Sequence, residues 1–150
     1  MNRKILFVDH EPAALNCYRQ MLESKFAIAT AGSGEEGLVS LRDHGPFAVV
    51  ISDMQMTGMD GVQFLKRVRQ VAPSTIRLLL TRSLDLNGAV NAVNEGCVFR
   101  LLIKPCEDSL LTWLSPSAST RRNRLRGLGI GGISTHRGTQ VWCWRFPIWR

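Results

Sequence analysis

The stretch that most restricts the fold is the run Phe47, Ala48, Val49, Val50, Ile51, Ser52, which ends at Asp53. It is apolar without polar alternation, the pattern of a strand covered on both faces. Such strands belong to parallel sheets, which bind ligands beyond the carboxyl ends of their strands. A buried strand therefore presents a carboxylate at its tip. An aspartate can also cap a helix, but the next helical pattern begins only near Val62, where Asp60 is the better-placed cap.

The rest of the chain repeats the arrangement. Ile5, Leu6, Phe7 and Val8 form a short apolar run that ends at Asp9, His10 and Glu11. Pro12 suits a first helical turn, and Leu15, Tyr18 and Leu22 recur at helical spacing until Ser24 and Lys25. A second strand is expected over 26–30. Ser33 with Glu36 three residues on forms a capping box for a helix carrying Leu38 and Leu41, stopped by Gly45 and Pro46. Val62, Leu65 and Val68 mark a third helix, with Lys66, Arg67 and Arg69 on its solvated face and Pro73 beyond its end. Residues 76–80 read as a fourth strand ending at Thr81, followed by a helix with Ala89, Val90 and Val93 that closes at Gly96. Residues 98–103 read as a fifth strand ending at Lys104 and Pro105. Leu110, Leu111 and Leu114 then open a fifth helix that Ser115 and Pro116 end early.

Five strand–helix alternations imply an α/β fold with a doubly wound parallel five-stranded sheet and helices on both faces, because each parallel connection requires a crossover. The tips then converge. Asp9, Asp53, Thr81 and Lys104 all project from one edge of the sheet. Two carboxylates, a hydroxyl and an ammonium suit phosphoryl chemistry: carboxylates hold Mg²⁺, and the cations neutralise phosphoryl oxygens. A carboxylate is also a competent phosphoryl acceptor, giving an acyl phosphate.

The net charge of +7 would suggest an anionic partner, but it lies in the tail. Residues 1–114 hold 12 Lys and Arg against 12 Asp and Glu, while residues 115–150 hold 7 Arg and no acid. Cys17, Cys97, Cys106 and Cys143 lack CxxC or metal spacing, which fits reduced thiols in a cytoplasmic protein. No apolar stretch approaches the roughly 20 residues of a membrane span.

The segments ILFVDHEP, VVISDMQMTGMDG, LLLT and IKP, in that order, resemble the receiver domains of bacterial two-component response regulators. The phrases GPFAVVISDM, AVNEG and FRLLIKP are most similar to receivers joined to HD-GYP phosphohydrolases. The resemblance covers Arg3 to about Leu114. It implies a flavodoxin-like sheet of order 2-1-3-4-5, with Asp53 taking a phosphoryl group from a histidine kinase or phosphotransfer protein. It further implies that Asp9 helps hold Mg²⁺, Gln55 offers its backbone carbonyl to the metal, Thr81 binds the phosphoryl group and Lys104 pairs with it. A receiver homodimer is compatible with the same likeness.

Four positions depart from the family pattern. His10 stands where a second acid normally ligates Mg²⁺, and imidazole is a poor ligand for a hard cation, unless Glu11 reaches in or a softer metal is accepted. Arg82 replaces the small residue after the threonine, and could pair with Asp53, block it, clamp phosphate or turn to solvent. Thr57 replaces the usual loop proline, and Leu101 a switch aromatic.

Two other functions compete with phosphoacceptance. One is a degenerate receiver that binds partners without being phosphorylated. The other is an aspartyl phosphatase of the haloacid dehalogenase type, which would place an Asp where this chain has Gln55. Residues 1–114 are expected to form the receiver domain and 115–150 a basic Arg/Gly/Trp-rich tail, disordered or an out-of-frame extension, with no output enzyme. Trp142, Trp144, Phe146 and Trp149 among arginines give nucleic acid only a tail-based case.

Overall fold

The computed structural model describes residues 4–82, 93–94, 97–104 and 114, together with the backbone of 133–136 and 139–142. Its elements are β1 (Lys4–Val8), α1 (Pro12–Leu22), β2 (Ala27–Ala31), α2 (Gly34–His44), β3 (Val49–Asp53), α3 (Gly61–Val71), β4 (Ile76–Thr81), β5 (Arg100–Ile103), β6 (Ile133–His136) and β7 (Thr139–Trp142). The first five strands are parallel in the order β2-β1-β3-β4-β5, as the resemblance implies.

The apolar runs are continuous because alternate residues enter two different cores. Leu6, Val8, Val50, Leu79 and Leu101 point to one face and pack with Phe64, Leu65 and Val68 of α3. Ile5, Phe7, Ile51, Leu78, Leu80 and Leu102 point to the other, where Tyr18 and Leu22 of α1 cover them. Phe7 and Tyr18 stack with ring centroids 4.8 Å apart. A one-residue slip would exchange the two faces, so packing against helices on both sides specifies the register.

Local signals set the helix starts. Pro12 begins α1, and the Ser33 hydroxyl accepts the Glu36 amide at 3.2 Å to start α2. The reciprocal half of that expected box is different: the Glu36 carboxylate accepts the Gly32 amide at 2.8 Å. The complete capping box is at α3, where Asp60 accepts the Gln63 amide and the Gln63 side chain accepts the Asp60 amide.

Beyond the five parallel strands, β6 and β7 form an antiparallel pair, and β7 joins the edge of β5 at Leu101↔Trp142. The five parallel strands are those the sequence implies, and the antiparallel pair extends the sheet to seven. The physical reason is that an edge strand offers a row of backbone donors and acceptors that any extended segment can join, whatever its side-chain period. Leu114 is buried against the α1 side of the sheet, whereas Ala89, Val90, Leu110, Leu111, the Arg cluster at 121–126 and Trp144 to Trp149 lie outside the described residues.

Candidate functional site

The carboxyl ends of β1, β3, β4 and β5 bring Asp9, Asp53, Thr81 and Lys104 to one edge. Asp9, Asp53 and Thr81 are each at most 4% exposed. Backbone bonds fix the strand tips relative to each other: Met54 donates to the Leu80 carbonyl at 2.8 Å and Lys104 to the Thr81 carbonyl at 2.7 Å. The strands thus position the side chains before any ligand arrives.

Lys104 Nζ lies 2.7 Å from Asp9 Oδ2 and 2.7 Å from Asp53 Oδ1. Burial acts against the ammonium, but its hydrogen bonds to Asp53 and Asp9 outweigh that effect and raise its pKa above the ordinary lysine value. Each carboxylate thereby gives one oxygen to Lys104. The other oxygen faces His10, whose Nδ1 is 3.6 Å from Asp9 Oδ1 and 3.7 Å from Asp53 Oδ2. Those outer oxygens also accept backbone amides, Asp9 Oδ1 from Glu11 at 3.0 Å and Asp53 Oδ2 from Gln55 at 3.1 Å.

Arg82 does not touch Asp53 among the described contacts. Its guanidinium pairs with Glu11 Oε2, and Glu11 Oε1 is turned to within 3.9 Å of His10 Nε2. Of the four readings open for Arg82, the observed partner is one that sequence reasoning did not consider. It could not be read because Glu11 and Arg82 are 71 positions apart and meet only when β1 and β4 flank β3.

Asp9, His10 and Asp53 each offer a ligand atom, and these atoms lie within 4.8 Å of one another. The paired carboxylates suit a divalent cation. The nitrogen donor between them departs from the oxygen shell that Mg²⁺ prefers.

Sequence reading overlooked Gly61, which closes the loop after Asp53. A Cβ here would stand 2.0 Å from the Asp53 carbonyl oxygen and 2.9 Å from Leu79 Cδ1, and the Gly61 amide donates to the Met54 carbonyl at 3.0 Å. The nearest obstacle is backbone and cannot rotate away. Gly61→Ala is expected to cost about 1–3 kcal/mol or more, measured by urea denaturation, as backbone shifts relieve the overlap. An unchanged midpoint would show that the loop adapts freely.

The family model for the response regulator receiver domain matches residues 5–114. The chain is 31% identical over 101 residues to the hydrogenase transcriptional regulatory protein HoxA of Cupriavidus necator, covering 67% of this chain and 21% of that protein. It is 35% identical over 108 residues to the transcriptional regulatory protein GlrR of Escherichia coli, covering 71% and 24% respectively. The chain thus spans less than a quarter of the length of these curated relatives.

Among solved structures, it is similar to the signal receiver domain of an HD domain-containing protein from Pseudomonas fluorescens, with a TM-score of 0.72, 31% identity, and coverage of 83% of this chain and 99% of that one. A response regulator receiver domain protein from Clostridium thermocellum has a TM-score of 0.70 and 31% identity, with coverage of 81% and 98%.

Proposed function

The chain belongs to the response regulator receiver family of two-component systems, and from that premise we propose that Asp53 is its phosphoacceptor, charged by a histidine kinase or phosphotransfer protein. The observation that carries the reading is the buried Asp53 carboxylate held at the tip of β3 with Lys104 at 2.7 Å. A carboxylate oxygen of Asp53 forms the new O–P bond as the P–N bond of a phosphohistidine breaks, and the departing imidazole nitrogen keeps the bonding pair. Lys104 places positive charge beside the incoming phosphoryl oxygens, and Thr81 brings a hydroxyl to the same edge from the neighbouring strand.

Asp9 and Asp53, with the Gln55 backbone carbonyl, would hold the divalent cation, Mg²⁺ in the family pattern, which when bound adds charge neutralisation for the phosphoryl group. Receiver domains are signalling modules rather than enzymes. Here residues 1–114 are read as that module and 115–150 as an appended segment. Among the described residues no helix is long and apolar enough to cross a membrane.

The test is intact mass after incubation with a divalent cation and a small phosphodonor. One phosphoryl adduct, labile to hydroxylamine and absent from Asp53→Asn, is expected. A label that persists in Asp53→Asn would mean the acceptor lies elsewhere. The presence of His10 and the Arg82–Glu11 pair beside the acceptor favours a second reading, a receiver that binds partners without phosphorylation; no adduct with any metal or donor would select it.

A further inference from the structure

We propose that His10 makes this strand-tip site a mixed imidazole–carboxylate centre for a borderline transition metal of the Co²⁺ or Zn²⁺ class, with His10 Nδ1, Asp9 Oδ1 and Asp53 Oδ2 as its ligands. The proposal rests on the reading that this edge holds a divalent cation, and it names which chemical class.

The donor geometry is the first support. A tetrahedral shell with bonds of about 2.1 Å sets its donors about 3.4 Å apart. His10 Nδ1 already lies 3.6 and 3.7 Å from the two carboxylate oxygens, close to that spacing, while the three residues' ligand atoms span up to 4.8 Å, so a bound ion would draw the Asp9 and Asp53 carboxylates together by about 1.4 Å. The two oxygens are on the side away from Lys104, which is hydrogen-bonded to the opposite oxygens. The ammonium and the metal therefore do not compete for the same atoms.

The surroundings of the imidazole supply the second support, independent of the first. A metal-bound histidine directs its other ring nitrogen to a carboxylate, which fixes ring orientation and tautomer. Glu11 Oε1 lies 3.9 Å from His10 Nε2, and Arg82 holds the other oxygen of the same carboxylate. Glu11 thus stands beside the ring nitrogen that points away from Asp9 and Asp53, placed to approach an Nε2 proton when a metal occupies Nδ1.

Charge and donor type give the direction of selectivity. Asp9 and Asp53 carry two negative charges and Lys104 returns one positive, leaving a single net charge to attract a cation. Mg²⁺ depends on hard, charged oxygen donors and dehydrates reluctantly, whereas imidazole favours later first-row metals. Replacing an acid by His10 therefore weakens the site for Mg²⁺ while adding a donor that Co²⁺ or Zn²⁺ uses well.

The experiment uses the full chain. Co²⁺, Zn²⁺, Mn²⁺ and Mg²⁺ are titrated against a chromophoric chelator, and nitrogen ligation is read from pulsed electron paramagnetic resonance of the Mn²⁺-loaded chain. His10→Ala and Glu11→Gln are run in parallel, with circular dichroism as the folding control; His10 is 41% exposed, so its truncation leaves the core untouched. The wild type is expected to show one imidazole nitrogen. His10→Ala should lose that signal and about 10–100-fold in Co²⁺ and Zn²⁺ affinity without losing Mg²⁺ affinity, and Glu11→Gln should show a smaller loss of the same kind.

A nitrogen signal that persists in folded His10→Ala, or equal Co²⁺ and Zn²⁺ affinity in the two proteins, overturns the proposal. A phosphoryl adduct formed with Mg²⁺ in that event leaves the phosphoacceptor reading standing. Conversely, an imidazole-ligated centre in a chain that never takes a phosphoryl group supports the metal assignment and removes the acceptor.

Discussion

Lys104→Met is expected to destabilise the metal-free protein by about 3–5 kcal/mol, the cost of leaving buried charge without its partner. Asp9 and Asp53 are 2% and 4% exposed, and Lys104 Nζ sits 2.7 Å from each, so its removal takes the counter-charge from two buried carboxylates. The pH dependence has a definite sign. The folded-state pKa of Lys104 is raised above the ordinary 10.5, so the stability it contributes is complete below that value and is lost as pH rises through the folded-state pKa.

Urea denaturation should therefore separate wild type and variant widely at pH 7–9, with the gap closing in stronger base. A divalent cation at a hundred times its dissociation constant for the variant should stabilise the variant by about 2.7 kcal/mol, offsetting part of its loss relative to the metal-free wild type. Equal stability of the two proteins at pH 8 without metal would mean that the carboxylates relax into solvent and that the edge is not held by Lys104.

The second large effect is expected from His10→Asp, which replaces the nitrogen donor with a hard oxygen. A first ligand should be worth at least as much as an outer partner, so Mg²⁺ affinity should rise about 10–100-fold. The same change places a third carboxylate beside Asp9 and Asp53, and like charge disfavours the metal-free fold. Stability of His10→Asp should consequently fall without metal and become steeply dependent on Mg²⁺.

Arg82→Gly is the necessary companion. Because Arg82 pairs with Glu11, its removal alone should leave Mg²⁺ affinity nearly unchanged. If affinity instead rises only in the double variant, Arg82 obstructs the site in solution. Unchanged affinity in all three variants would show that these strand tips do not form the metal site.

The five parallel strands and the converging edge were legible because their causes are local or periodic. An apolar run such as 47–51 can be satisfied only by cover on both faces, and a polar residue at each strand end then shares an edge by topology alone. Asp60 was identifiable as a cap from its position before Val62, a signal carried within one helical turn. The extent of β5 was less legible: the pattern runs from Val98, whereas the strand begins at Arg100, paired with Leu78, after a backbone hydrogen bond from Phe99 to the Arg77 carbonyl. A burial period reports which residues are covered, while strand limits depend on which backbone groups pair.

What the sequence by itself determined is the set of groups at the carboxyl edge and the parallel sheet that gathers them. Only the tertiary structure decided how those groups divide. The two oxygens of each carboxylate are indistinguishable in sequence, yet one of each faces Lys104 and the other His10. Arg82 found Glu11 rather than Asp53, Gly61 proved necessary because its α-carbon passes the Asp53 carbonyl, and β7 joined β5. The physical reason is common to all four. Hydrogen bonds, ion pairs and steric contacts all act over a few ångströms, so which groups meet depends on the distances that packing establishes rather than on residue type alone.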